Sequence, residues 1–150
     1  LPNVIVLRTL SKSYSLAGLR FGFAFGARAL IDDMRKVKDS YNCDAVSIAG
    51  ATAAIDDQAW LTETQTAILA TRERMTASLR ELGFASVPSQ ANFVWNPHPS
   101  VPVEPLYQQL KASGVLVRYM NYTSWGDGLR ISVGTDEQVD ACLALLRSMM

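Results

Sequence analysis

Between Thr9 and Arg20 the sequence reads Thr-Leu-Ser-Lys-Ser-Tyr-Ser-Leu-Ala-Gly-Leu-Arg, a run of hydroxyl-bearing side chains around one lysine, with a glycine and an arginine at its end. An amine set beside apolar strand ends is expected to be partly desolvated, a setting that frees it to attack a carbonyl carbon. Thr9 and Ser11 offer hydroxyl donors to phosphate oxygens, and Arg20 offers a rigid fork of charged donors. Gly18 allows a turn or a close approach by something bulky. A Ser-Lys pair alone is usually a solvated loop, so the weight lies on the length of the pattern.

Two stretches must position this loop. Val4–Leu7 is fully apolar and β-branched, the pattern of a buried parallel strand. Phe21–Phe25 alternates aromatic and small residues and suits a second strand. Arg28–Lys38 reads as a helix with Leu30, Ile31, Met34 and Val37 on one side and basic residues in its last turn. Asp39–Asp44 breaks the pattern, and Ala45–Ile55 suits a closely packed, alanine-rich helix. After Asp56 and Asp57, apolar and small residues from Trp60 through Met75 and Leu79 to Leu82 recur at helical spacing, with Arg72, Glu73, Arg80 and Glu81 assigned to the wet side. Gly83 ends that helix in a left-handed conformation.

The remainder reads as a smaller α+β region. Val87–Trp95 is a loop followed by a strand, where Asn92 is either a turn residue or a site residue. His98, the only histidine, stands between two prolines and is expected to be exposed and inert. Glu104–Ser113 is a short helix, Gly114–Arg118 a turn and a strand, and Tyr119–Asp127 a loop. In Gly128–Thr135, Leu129, Ile131 and Val133 alternate with Arg130 and Ser132, so Arg130 faces away from the core. Thr135 and Gln138 form a capping box for a last helix, which buries Cys142.

The chain has 150 residues, 49% of them hydrophobic, and fourteen basic residues balance fourteen acidic ones. This charge balance points away from nucleic acid and from anionic membrane surfaces. No apolar run approaches the roughly 20 residues that cross a bilayer. No signal peptide is legible, and Cys43 and Cys142 are unpatterned, so the expectation is a cytoplasmic protein with free thiols.

The Thr9–Arg20 pattern resembles the lysine signature of pyridoxal-phosphate aminotransferases of the class II type, and every constrained position fits. The resemblance continues along the chain and is closest in form to the histidinol-phosphate aminotransferases. It implies an α/β fold in which residues 1–56 are the end of the cofactor-binding large domain and residues 57–150 are a linker helix and an α+β small domain. It implies that Lys12 is the Schiff-base lysine of pyridoxal 5'-phosphate and later moves the proton between two carbons. Thr9, Ser11 and Arg20 would contact the cofactor phosphate. The segment Leu-Arg-Ile-Ser-Val-Gly-Thr makes Arg130 the receptor of the substrate's anionic end. Arg118, closing Gly-Val-Leu-Val-Arg, resembles a second arginine for a substrate phosphate, and Asn92 would face the site entrance. The family's Pro-Tyr-Asn is here Ser40-Tyr41-Asn42, a departure that leaves only Tyr41 and Asn42 to carry over.

The reaction implied is amino transfer between L-histidinol phosphate and 2-oxoglutarate, in a homodimer. A threonine-phosphate decarboxylase, an aminotransferase for other amino acids, and a non-catalytic fragment or dimerisation module remain open beside it. The chain opens Leu1-Pro2-Asn3 and is expected to be the C-terminal portion of a longer enzyme. A strand left at a sheet edge by such a division favours self-association.

Overall fold

β-Branched residues at the start of the chain do form a strand, but with a different partner and in different surroundings from those expected. In a computed structural model that describes residues 1–150, β1 (Ile5–Thr9) pairs antiparallel with β2 (Gly22–Gly26), Ile5 opposite Gly26 and Thr9 opposite Gly22. The loop between them reverses the chain, so the neighbouring strand runs the opposite way. Every residue of β1 is exposed, Leu7 to 72%. A two-stranded ribbon has no further strand on either side to cover it, and apolar composition alone does not supply one. The buried parallel strand is therefore corrected to an exposed antiparallel one.

The chain divides into two compact units, Leu1–Gln65 and Thr66–Met150. In the first, α1 (Arg28–Val37) carries Arg35 and Lys36 in its last turn. α2 (Ala45–Asp56) is capped by Asp44, whose carboxylate accepts from Ser47 N at 2.8 Å and Ser47 Oγ at 2.6 Å. These bonds, the hydroxyl's first, hold the Asp44 carboxyl below the usual carboxylate range. Asp57 then caps α3 (Gln58–Glu81), accepting from Trp60 N at 3.0 Å. The boundary between the units falls within α3.

In the second unit the inward residues of α3 are Thr71, Arg72, Met75 and Leu79. Gly83, with φ +86°, ends the helix, and Phe84 N returns to Leu79 O at 3.0 Å, the Schellman arrangement. β3 (Phe93–Asn96), α4 (Val103–Ala112), β4 (Arg118–Tyr122), β5 (Gly126–Ser132) and α5 (Asp136–Met149) follow. The sheet order is β3-β5-β4, antiparallel throughout. Val94, Leu129 and Ile131 turn inward and join Met75, Leu79, Leu106, Leu110, Leu143 and Leu146 in one core. Asn96 is fully buried among them, donating to Val94 O and Leu129 O and accepting from Ser86 Oγ at 2.6 Å. Thr135 and Gln138 form the expected capping box, and Cys142 is buried, its thiol pushed up to about 11 by desolvation.

Four expectations are corrected here. Arg72 is buried rather than on the wet side of α3, because its guanidinium reaches the Ala91 carbonyl. His98 is half-buried rather than exposed: its Nδ1 accepts from Ser100 N and Val101 N, and its ring meets Phe84 edge-on at 5.1 Å. A nitrogen that accepts two N–H groups carries no proton, so Nε2–H is left to donate to Leu82 O, 3.3 Å away. The ring fits because Gly83 has no Cβ, which would lie 2.8 Å from Nε2. Finally, most of the expected Tyr119–Asp127 loop is a hairpin. The strand expected at Gly114–Arg118 begins only at Arg118, because Asn121 and Tyr122 pair with Asp127 and Gly126 while the residues before Arg118 lie outside the ladder.

Candidate active site

In the first unit the Thr9–Arg20 loop is shaped by its own polar atoms. Thr9 Oγ1 accepts from Ser11 N at 3.1 Å, which leaves the Thr9 hydroxyl hydrogen free to donate elsewhere. Ser15 N returns to Lys12 O at 2.9 Å, closing a turn that carries Lys12 on its outside. Leu10, 1% exposed, is the anchor of the loop, and its backbone bonds to both Phe21 and Leu16. Lys12 itself is exposed, as are the strand ends beside it, so the desolvation expected of it is absent in this unit.

Two residues of this loop hold left-handed backbone conformations without being glycine: Ser15 at φ 55° and Arg20 at φ 54°. Each costs about 1–2 kcal/mol, and such strain persists where the surrounding structure dictates it, often at ligand sites. The exposed Arg20 guanidinium bends back so that Nη1 donates to Ala17 O at 2.8 Å. Two hydroxyls and a guanidinium within one loop are a donor set that fits a phosphate group. A shallow hollow over the ribbon is lined by Thr9, Gly22, Lys38 and Asn42, but not by Ser11, Lys12 or Arg20. Asn42 accepts from Lys38 Nζ at 2.6 Å, and Tyr41 lies fully in solvent.

In the second unit the sheet register sets the arrangement. Arg130 stands opposite Arg118 on β4 and opposite Trp95 on β3. Directly opposed residues of antiparallel strands project from the same face. That face, opposite the core, therefore carries Arg118, Arg130, Trp95 and Phe93 together. The Phe93 ring centroid lies 5.1 Å from Arg130 Cζ, a cation–π contact. Trp95 meets Tyr122 edge-on at 5.7 Å and lies across Gly128, where a Cβ would stand 2.6 Å from the indole. Adjacent guanidinium groups repel one another unless an anion lies between them. The face can thus hold a phosphate or carboxylate through two forks.

Asn92 immediately precedes β3, and its carbonyl accepts from Val133 N at 2.9 Å. A cleft of about 460 Å³ in this unit lies between Gly114–Val117 and Ile131–Gly134, closed by Gln138 and Cys142, and none of the expected site residues lines it. Sequence reasoning missed Phe93, Trp95 and Gly128 as partners of Arg130. The alternation Phe-Val-Trp-Asn places Phe93 and Trp95 on one face, but only the register places that face beside Arg130.

The sequence model of the family described as aminotransferase class I and II matches residues 1–146. The histidinol-phosphate aminotransferase of Rhodopirellula baltica is 53% identical over 148 residues, covering 99% of this chain and 41% of that protein. Histidinol-phosphate aminotransferase 1 of Bordetella parapertussis is 48% identical over 150 residues, with 98% and 42% covered. Among solved structures, histidinol-phosphate aminotransferase from Sinorhizobium meliloti in complex with pyridoxal-5'-phosphate is similar at TM-score 0.87 and 28% identity, covering 99% of this chain and 42% of that one. The chain thus spans about two fifths of the length of the relatives it matches. With a strained, hydroxyl-rich lysine loop and an arginine pair set by strand register, the chain belongs to the class I and II aminotransferase family.

Proposed function

We propose that this chain carries the cofactor lysine and the substrate-anion arginines of a pyridoxal-phosphate aminotransferase acting on L-histidinol phosphate and 2-oxoglutarate. The observation that carries this reading is the cross-strand placement of Arg118 opposite Arg130, two cations side by side on one sheet face. A phosphate dianion answers two guanidinium forks better than one. In this reading residues 1–56 are the end of the cofactor domain and residues 57–150 the linker helix and small domain.

Thr9, Ser11 and Arg20 would hold the cofactor phosphate, and Lys12 would bind its aldehyde carbon and then carry a proton between the amino-bearing carbon of the substrate and that cofactor carbon. Bound there, pyridoxal phosphate supplies an electron sink for the carbanion beside the amino nitrogen. Arg118 and Arg130 would orient the substrate by its anionic end, and Asn92 would stand at the entrance. The activity is that of the longer protein, in which a homodimer is expected, while the 150-residue chain serves for testing binding.

The test is an absorbance spectrum with pyridoxal phosphate, before and after borohydride, on the 150-residue chain, on the longer protein and on Lys12→Ala versions of both. A visible band that borohydride fixes covalently at Lys12, and that the alanine variants lack, is the expected result. A band that survives Lys12→Ala in the longer protein would overturn the assignment. With the band in hand, transfer from histidinol phosphate is measured against carbon dioxide release from threonine phosphate. Release without transfer would replace the aminotransferase reading by a decarboxylase of the same family.

A further inference from the structure

Arg72 is the one buried cation of the chain, 8% exposed on the inward side of α3. It has no carboxylate partner; the ion pairs of the unit run instead from Arg74 to Asp136 and Asp140. Its Nη1 donates to the Ala91 carbonyl at 2.9 Å. Burying a guanidinium to serve a carbonyl carries a desolvation penalty that an apolar side chain of similar volume would avoid. The carbonyl so held lies in a loop with a particular job.

That loop, Ser89–Phe93, is fastened at several points. Ser89 Oγ donates to Phe93 O at 2.6 Å and accepts from Ala91 N at 3.0 Å. Asn92 O accepts from Val133 N at 2.9 Å, tying the loop to the segment after β5. Arg72 adds the tie to α3. The residue that leaves the loop is Phe93, whose ring lies under the Arg130 guanidinium. A continuous path thus runs from α3 through Arg72, Ala91 and Phe93 to Arg130, each step a hydrogen bond, a short stretch of backbone or a ring contact.

We propose that Arg72 is a positioning residue for Arg130: by holding the Ala91 carbonyl it sets the Phe93 ring on which the Arg130 guanidinium rests. Its value to the enzyme follows from the reading of Arg118 and Arg130 as a substrate-anion clamp, whereas its effect on Arg130 is independent of that reading. A guanidinium fixed against a ring loses less side-chain freedom on meeting an anion, so the clamp is prepared before the ligand arrives.

The test reads the Arg130 Hδ resonances of the isotopically labelled chain, which the Phe93 ring current displaces, together with its affinity for inorganic phosphate. Phe93→Leu defines the undisplaced position. Arg72→Leu is expected to move the Arg130 resonances most of the way there and to weaken phosphate binding about tenfold. Arg72→Lys, which keeps a charged donor, is expected to stay near the parent in both. Core methyl resonances of Leu143 and Leu146 check folding. If Arg72→Leu does not fold, the polar but shorter Arg72→Gln is read in the same way. An undisturbed Arg130 shift in a folded Leu or Gln variant overturns the proposal. If the parent binds no phosphate while the shifts behave as expected, the clamp reading fails and the positioning of Arg130 stands.

Discussion

Arg118 and Arg130 are direct partners in the β4–β5 ladder, so the sheet roots two side chains of like charge at opposed positions on its outer face. Like charges at directly opposed positions weaken a sheet. A fold retains such a pair readily when an anion is its regular companion.

Replacing one member therefore separates stability from binding. Arg118→Thr is expected to raise the thermal midpoint of the ligand-free second unit by about 2 °C and to abolish the added stabilisation given by phosphate. Thermal melts with and without phosphate measure both. A lower midpoint in the variant would mean that no repulsion was present.

Gly128 bears on the same face through volume alone. Its added methyl in Gly128→Ala would meet the Trp95 indole at 2.6 Å, so the ring must move. The expected destabilisation is about 1–3 kcal/mol, typical of overpacking. Urea unfolding gives the energy, and near-ultraviolet circular dichroism records the displaced Trp95–Tyr122 pair.

Acid should unfold the second unit through the first turn of α5. Arg74 first, and Thr71 second, hold the Asp136 carboxyl below its ordinary range. A depressed folded-state value stabilises above the unfolded value near 4, and this contribution is lost as the pH falls through the folded one. Asp136→Asn is expected to lower the midpoint at pH 7 by a few degrees and to flatten the decline below pH 4. Melts across that range test the sign.

Base acts through Cys142. Desolvation raises its thiol from 9.0 to about 11, so the native state favours the protonated form. The contribution is complete below the unfolded value and is lost as the pH rises toward the folded one, between about pH 9 and 11. Cys142→Ala is expected to flatten that alkaline decline, measured by urea unfolding at each pH. A thiol reagent should modify exposed Cys43 promptly and Cys142 only on unfolding.

Local patterns were legible wherever short-range chemistry decides. The capping box at Thr135, the left-handed Gly83 and the buried face of α5 follow from residue type and spacing. Arg130 on the outer face follows from alternation. What alternation cannot supply is the identity of a neighbour. Val4–Leu7 has the composition of a buried strand, yet whether it is covered depends on chain beyond the ribbon. Arg72 has the composition of a wet helical face, yet a carbonyl 19 residues away draws it inward. His98 looks idle until Gly83 makes room for it. Each of the two arginines is expected from the sequence to receive an anion, and their opposed placement became visible only with the register.

Asn96 shows what that register needs in order to be unique. Sliding β3 along β5 by two residues would leave its apolar side chains facing inward, so hydrophobic burial alone tolerates the slip. The slip would carry the Asn96 amide away from Leu129 O, leaving it only its bond to Val94 O on the same strand and costing one hydrogen bond in the core. One amide therefore proofreads the alignment of the sheet, and a misthreaded chain reopens rather than settling. Because the same alignment puts Trp95 opposite Arg130, the accuracy of the outer face is enforced from the inside.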